Sequence, residues 1–195
     1  MPLPRVSAFA ALVSLAGGAS AQAAADPRLH TVFGAVDPLD GLADVPPALA
    51  APADGRLFVV QFATAIQPAY ARALAARRLS VVAYLPANAY VVRGARADAE
   101  AFRALPPAGS PVRWVGPLPL AWKLAKALQP LAMAPAAGGD AIVCNLLLAD
   151  KADEAPLCAQ IRSLGGEVVV HGPVLVRARL RPLPLRAVAA LDGVL

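Results

Sequence analysis

The side chains of this 195-residue chain that could do chemistry are few: two cysteines, two histidines, scattered serines and one short acidic cluster. Hydrolysis by a serine nucleophile needs a base within hydrogen-bond reach and a carboxylate to orient it. His30 lies in a proline-rich stretch, and His171 stands at a strand end followed by Gly172-Pro173. Beyond the N-terminal segment the serines are Ser80, Ser110 and Ser163, none in a Gly-x-Ser or Gly-Thr-Ser setting. Asp150, Asp153 and Glu154 cluster at the start of a predicted helix, where negative charge complements the helix dipole without any metal. No GxGxxG and no glycine-rich loop leading into Lys-Ser or Lys-Thr is present. The residues therefore predict no catalytic site, no cofactor and no metal, so the chain is read as no enzyme in its own right. Cys144 and Cys158 fit no zinc or CxxC spacing. In an oxidising compartment they are expected to pair as a disulfide, with two small buried thiols as the alternative.

Composition narrows the setting. The formal charge is +5, but the arginines are scattered singly, without a basic run or an interleaved aromatic stripe. That pattern argues against nucleic acid as a partner. At the N-terminus, Arg5 precedes an apolar stretch over 6–16, and Ala21-Gln22-Ala23 fits the small-x-small rule of signal peptidase. The stretch is too short to cross a hydrocarbon core of about 30 Å as a helix. Residues 1–25 are read as a signal peptide, cleaved near Ala23 or Ala25. The protein is then exported, to the periplasm or beyond the cell, with no membrane contact after cleavage.

The elements that must position these groups follow a repeated order. Residues 26–55 are rich in proline, aspartate and glycine with little periodicity, and read as a linker. Residues 57–63 (LFVVQFA) form a strand, 67–78 a helix, 80–85 and 89–93 two strands around a turn at Pro86-Ala87-Asn88, 97–105 a helix and 111–115 a strand. A hinge over 129–139 includes Gly138-Gly139. Residues 141–148, 150–164, 167–171 and 174–180 then repeat strand, helix, strand, strand, with Gly165-Gly166 capping the helix. Leu185, Val188 and Leu191 repeat the stripe of Ala99, Phe102 and Leu105. The reading is α+β, a βαββαβ lobe over 56–128 and a second over 140–195, related as an internal repeat. The second lobe's last strand is expected only to begin at the chain's final residues, as in a fragment of something longer.

The first copy resembles the pro-region of secreted subtilisin-like serine proteases of the S8 family. The residues carrying the likeness are Phe58 to Phe62, Tyr84, Pro86 and Asn88, then Ala89 to Arg93, Val112 to Pro117, and Trp122-Lys123-Leu124. The resemblance implies two tandem ferredoxin-like lobes, antiparallel sheets with helices on one face, the second lacking most of its last strand. It also implies a folding assistant and inhibitor for a subtilisin-like protease domain, supplied in cis or in trans, that docks on the open sheet face. Alternation puts Val59, Gln61, Ala89, Val91 and Arg93 on that face, opposite Phe58, Val60, Phe62, Tyr90 and Val92. The strands carry few polar residues, so both faces expect a cover. A partner or the other lobe could supply it. A stand-alone secreted interaction module with no protease partner is the alternative.

Overall fold

The computed structural model describes residues 26–32, 34–42, 44–104, 111–134 and 140–195. The signal peptide read over 1–25, Leu105, Ser110 and the Gly138-Gly139 hinge lie outside the described residues. β1 (Leu29–Thr31) and β2 (Gly34–Val36) form a short antiparallel hairpin. β3 (Leu57–Phe62), α1 (Pro68–Ala76), β4 (Ser80–Leu85), β5 (Ala89–Arg93), α2 (Arg96–Ala104) and β6 (Val112–Pro117) follow. These four strands make an antiparallel sheet in the order β4-β5-β3-β6. Two short helices, α3 (Leu120–Lys123) and α4 (Gln129–Met133), lead to the second half. There β7 (Ile142–Leu147), α5 (Glu154–Ser163), β8 (Glu167–His171), β9 (Leu175–Leu180) and α6 (Pro182–Ala189) build a three-stranded sheet, ordered β7-β9-β8.

The halves are copies at the level of individual hydrogen bonds. Leu57 pairs with Arg93 and Gln61 with Ala89; 86 residues on, Val143 pairs with Arg179 and Leu147 with Leu175. β4 slips by one residue between Val81 and Ala83, and β8 slips at the same rung, between Val168 and Val170. Each first helix ends on a left-handed residue, Arg78 at φ 58° and Gly165 at φ 78°. The next amide then returns to the helix, Leu79 N–H to Leu74 O and Gly166 N–H to Ile161 O. The second strand opposite β3 is matched too. Ala63 N–H donates to Pro111 O, and Ala149 N–H donates to Gly193 O. Val194 bridges Leu148 as Val112 pairs with Phe62, and Leu195 N–H donates to Leu147 O. The second half thus has the first half's strand order, with only Val194 and Leu195 at the place of β6.

Packing follows the alternation of apolar residues. Phe58, Val60, Phe62 and Val92 join Tyr70, Leu74, Ala99 and Phe102 in a core between the first sheet and its helices. Tyr70 stacks on Phe62 with ring centroids 4.5 Å apart, a geometry that adds to area burial. In the second half Cys144, Leu146, Val176, Ala178 and Leu180 face Leu157, Cys158, Ile161, Leu185 and Val188. Asp150 opens that half's helical segment as a capping box, accepting from Ala152 N–H while the Asp153 carboxylate accepts from Asp150 N–H.

Three sequence expectations change here. The stretch 26–55 carries the β1–β2 hairpin, and its Leu29 and Leu49 are fully buried, so it is no slack linker. Apolar residues too sparse for a strand or helix pattern still anchor it, one under each lobe. Likewise Leu120, Ala121, Leu124 and Ala132 enter the second lobe's core, so the chain between the lobes is packed where it was read as lobe edge and hinge. Finally, Cys144 and Cys158 share that core as free thiols, and the expected disulfide is not formed. Burial pushes the Cys144 thiol above its ordinary pKa. Thiol reagents should therefore react slowly with the native protein and titrate two groups once it is unfolded without reductant. A single fast native equivalent would contradict this packing.

Candidate functional site

A surface for another molecule must be sought on the sheet faces away from the helices. On the first sheet that face is already occupied. Val59, Ala89 and Val91 lie with Leu29, Leu57 and Leu118 in a third buried cluster, against which Trp114, Trp122 and Leu195 pack. Gln61 is 1 % exposed. Its amide nitrogen donates to Pro27 O and Ala87 O, and its amide oxygen accepts from Arg113 at 2.9 Å. Arg113 in turn pairs with Asp37 at 2.6 Å. That guanidinium, helped by Leu39 N–H, holds the Asp37 carboxyl below the usual carboxylate range. One polar chain therefore runs from the middle of β3 to both ends of the hairpin segment. Burying Gln61 is tolerable because every polar atom on it is bonded.

Arg93, the last of the predicted face residues, is half-buried between the lobes. It forks onto the Asp153 carboxylate and also donates to Asp192 O at 2.8 Å. Two further donors reach the same turn: Arg56 N–H to the Asp192 carboxylate at 2.8 Å, and Lys123 Nζ to Leu191 O at 2.9 Å. The turn 191–193 of the second lobe is thus held by three donors from the first lobe and the segment that follows it. Trp122 touches both the cluster beneath the first sheet and the core of the second lobe. The predicted docking residues Val59, Gln61, Ala89, Val91 and Arg93 are accordingly not open to a partner. The chain's own hairpin, the 118–122 segment and the second lobe's last residues cover them. Alternation identified the face but could not tell which apolar segments would close it.

Lys123 reports on this closure. Burial pushes its ammonium down to about 8, with Asp192 opposing the shift and Arg93 adding to it. The unfolded chain releases that proton near 10.5. Between those values the unfolded state binds more protons, so this group makes stability rise with pH from about 8 to about 10.5. Denaturant midpoints measured at pH 7.5 and 9.5 should show the increment in the wild type. In Lys123→Met it should vanish, and an unchanged increment there would assign the rise to another group.

The second sheet presents its corresponding face to solvent. Val143, Leu147 and Val170 are 56 %, 51 % and 54 % exposed. Arg177 donates to the Asn145 side chain at 2.9 Å, and Arg179 pairs with Glu167 at 3.0 Å. This mixed face of aliphatics and arginines occupies positions that in the first lobe are buried beneath the hairpin and Trp122. The sequence does not single it out, because β7 (Ile142–Leu147) carries only one polar residue, Asn145, and so reads as buried on both faces. Asn145, between Val143 and Leu147 on the alternating outward side, is its one signal.

The residues considered for catalysis are placed elsewhere. His171 Nδ1 is 2.6 Å from Glu154 Oε1 on the surface, and Ser163 Oγ donates to Gln160 O. His30 pairs with Ala35 in the hairpin, and Ser80 starts β4 opposite Arg93. Asp153 is committed to Arg93 and its own cap. No hydrogen bond among the described residues joins a serine hydroxyl to either histidine. No group of three or more His, Cys, Asp or Glu among the described residues could hold a metal, and no helix there is long and apolar enough to cross a membrane.

No curated protein and no solved structure matches the chain. Residues 28–119 match the model of a family described as Domain of unknown function (DUF8729). The matched stretch runs from just before Leu29 to just past β6, so this chain is similar to that family over the hairpin and the first sheet taken together.

Proposed function

We propose that this chain is an exported, non-catalytic pro-region that assists and inhibits a subtilisin-like serine protease domain, built from two ferredoxin-like lobes. The observation that carries the reading is the pair of matching strand orders, β6-β3-β5-β4 and its shortened copy, with helices on one side of each sheet. The residues resembling subtilisin-like pro-regions fall on structural joints of that frame. Asn88 O caps β3, Gly116 and Pro117 close β6 against Val59 and Phe58, and Lys123 ties the following segment to the second lobe. Because the first sheet's open face is closed internally, docking is assigned to the second sheet's face around Val143, Leu147, Val170, Arg177 and Arg179. Inhibition of a subtilisin-like protease encoded in the same genome, at micromolar concentration of this chain, tests the proposal. Neither association nor inhibition at that concentration would reject it.

One observation favours a second reading, a stand-alone secreted interaction module without a protease. The covering of Val59, Ala89 and Val91 by Leu29, Trp122 and Leu195 of the same chain closes the first sheet without a partner. Under that reading the chain is stable alone and accelerates refolding of no protease.

A further inference from the structure

We infer that the first lobe binds a small amphipathic anion, an acidic head on an aliphatic body, in a cavity between the hairpin and the sheet it covers. The hairpin and α3 do not fill the space above that sheet completely. A cavity of about 350 Å³ remains, with Leu85, Val91, Leu118 and Trp122 as apolar walls. Sites for small ligands have this size and character, mostly apolar with a few placed polar groups. His30 and Val32 of the hairpin line it too, and both are exposed, so solvent reaches the cavity past them.

Charge selects the occupant. Among the described residues two bases line the cavity, His30 and Lys123, and no carboxylate side chain does. The Lys123 ammonium donates one hydrogen bond there, to Leu191 O at 2.9 Å, and keeps further N–H groups to give. Asp192 and Arg93 act on it with opposite signs, and burial outweighs both in holding its pKa at about 8. A cation stripped of water in this way gains from an oxygen anion, which supplies a charge-assisted bond in place of lost hydration. The apolar walls beside it favour an alkyl carboxylate over a fully hydrated inorganic ion.

The cavity belongs to the first lobe. Apart from Leu195, every lining residue lies between His30 and Lys123, on the hairpin, the first sheet or the segment that follows it. Leu195 N–H donates to Leu147 O, which directs the backbone beyond it along β7, toward the rung opposite Leu146. No residue of β7 lines the cavity. The inference is independent of any protease partner.

The test titrates octanoate, octanol and octylamine into the intact chain at neutral pH, followed by calorimetry. Octanoate should bind saturably below millimolar concentration, octanol at least about tenfold more weakly, and octylamine not measurably. With octanoate bound, the Lys123 Cε resonance should titrate at higher pH than without it. Lys123→Met should keep octanol binding and lose the preference for octanoate. Ala83→Phe, which places a ring in the cavity, should abolish binding of both while the two thiols stay shielded. Equal affinity for octanoate and octanol, or octanoate binding that leaves the Lys123 titration unmoved, would overturn the inference. So would the absence of saturable octanoate binding at millimolar concentration, or wild-type affinity in Ala83→Phe.

Discussion

Arg93→Ala is expected to loosen the two lobes from each other, at a cost of about 2–4 kcal/mol, below the range for a fully buried pair because both side chains keep some water contact. Removing the guanidinium deletes the fork onto Asp153 and the bond to Asp192 O together. Asp153 cannot swing out to water freely, since its carboxylate also accepts from Asp150 N–H and so terminates the capping box. The charge left behind stays half-buried without its partner. Arg93→Lys keeps the charge but not the planar fork, and should recover only part of the loss. Denaturant unfolding measures the total. Limited proteolysis should show cleavage between the lobes, in the stretch 124–140, at protease levels that leave the wild type whole. A midpoint within error of wild type, with no new cleavage, would remove the turn 191–193 from the role given to it here.

The second large effect concerns two positions that exchanged size between the copies. In the first lobe Gly94 sits against Leu79, and a Cβ on Gly94 would lie 2.5 Å from the Leu79 side chain. In the second lobe the counterpart of Leu79 is Gly166 and that of Gly94 is Leu180, and a Cβ on Gly166 would lie 2.6 Å from the Leu180 side chain. Each lobe thus places one leucine and one glycine at the same contact, from opposite strands. Leu180 is fully buried, and Leu180→Ala should cost about 2–5 kcal/mol through the cavity it leaves. Gly166→Ala should cost about 1–3 kcal/mol through crowding. The double substitution should cost less than the sum by about 1 kcal/mol or more, because the new methyl enters the space the leucine vacated. Relief stays partial, since the same methyl also meets the Ile161 side chain at 2.8 Å. Strict additivity in a chemical-denaturation cycle would refute the pairing.

Alternation and punctuation carried most of the architecture. Apolar runs of strand length marked β3, β5, β7 and β9, and the Pro86-Ala87-Asn88 turn with two left-handed residues marked the corner between β4 and β5. The repeat was legible because its buried positions kept their spacing, Ala99 and Phe102 answering to Leu185 and Val188. The hairpin was not legible. Leu29 and Leu49 are single apolar residues among prolines, and no local pattern distinguishes an isolated leucine that is buried from one that is not. The same gap misplaced the candidate surface. Val59 and Val91 are as apolar as a docking face requires, but only long-range contacts with Leu29, Trp122 and Leu195 decide what lies on them. Free thiols in place of a disulfide have a similar origin, since strand-to-helix spacing fixes a shared core but not sulfur geometry.

The slip in β4 and its twin in β8 bear on ancestry. Regular ladders can arise twice under the same hydrogen-bonding rules, whereas a bulge is a specific local feature that is kept within a family. Finding it at one rung in both copies implies that the irregularity predates the doubling. Among the described residues the N-terminal hairpin has no counterpart ahead of β7, so it stands outside the repeated unit and belongs to the first lobe's cover alone.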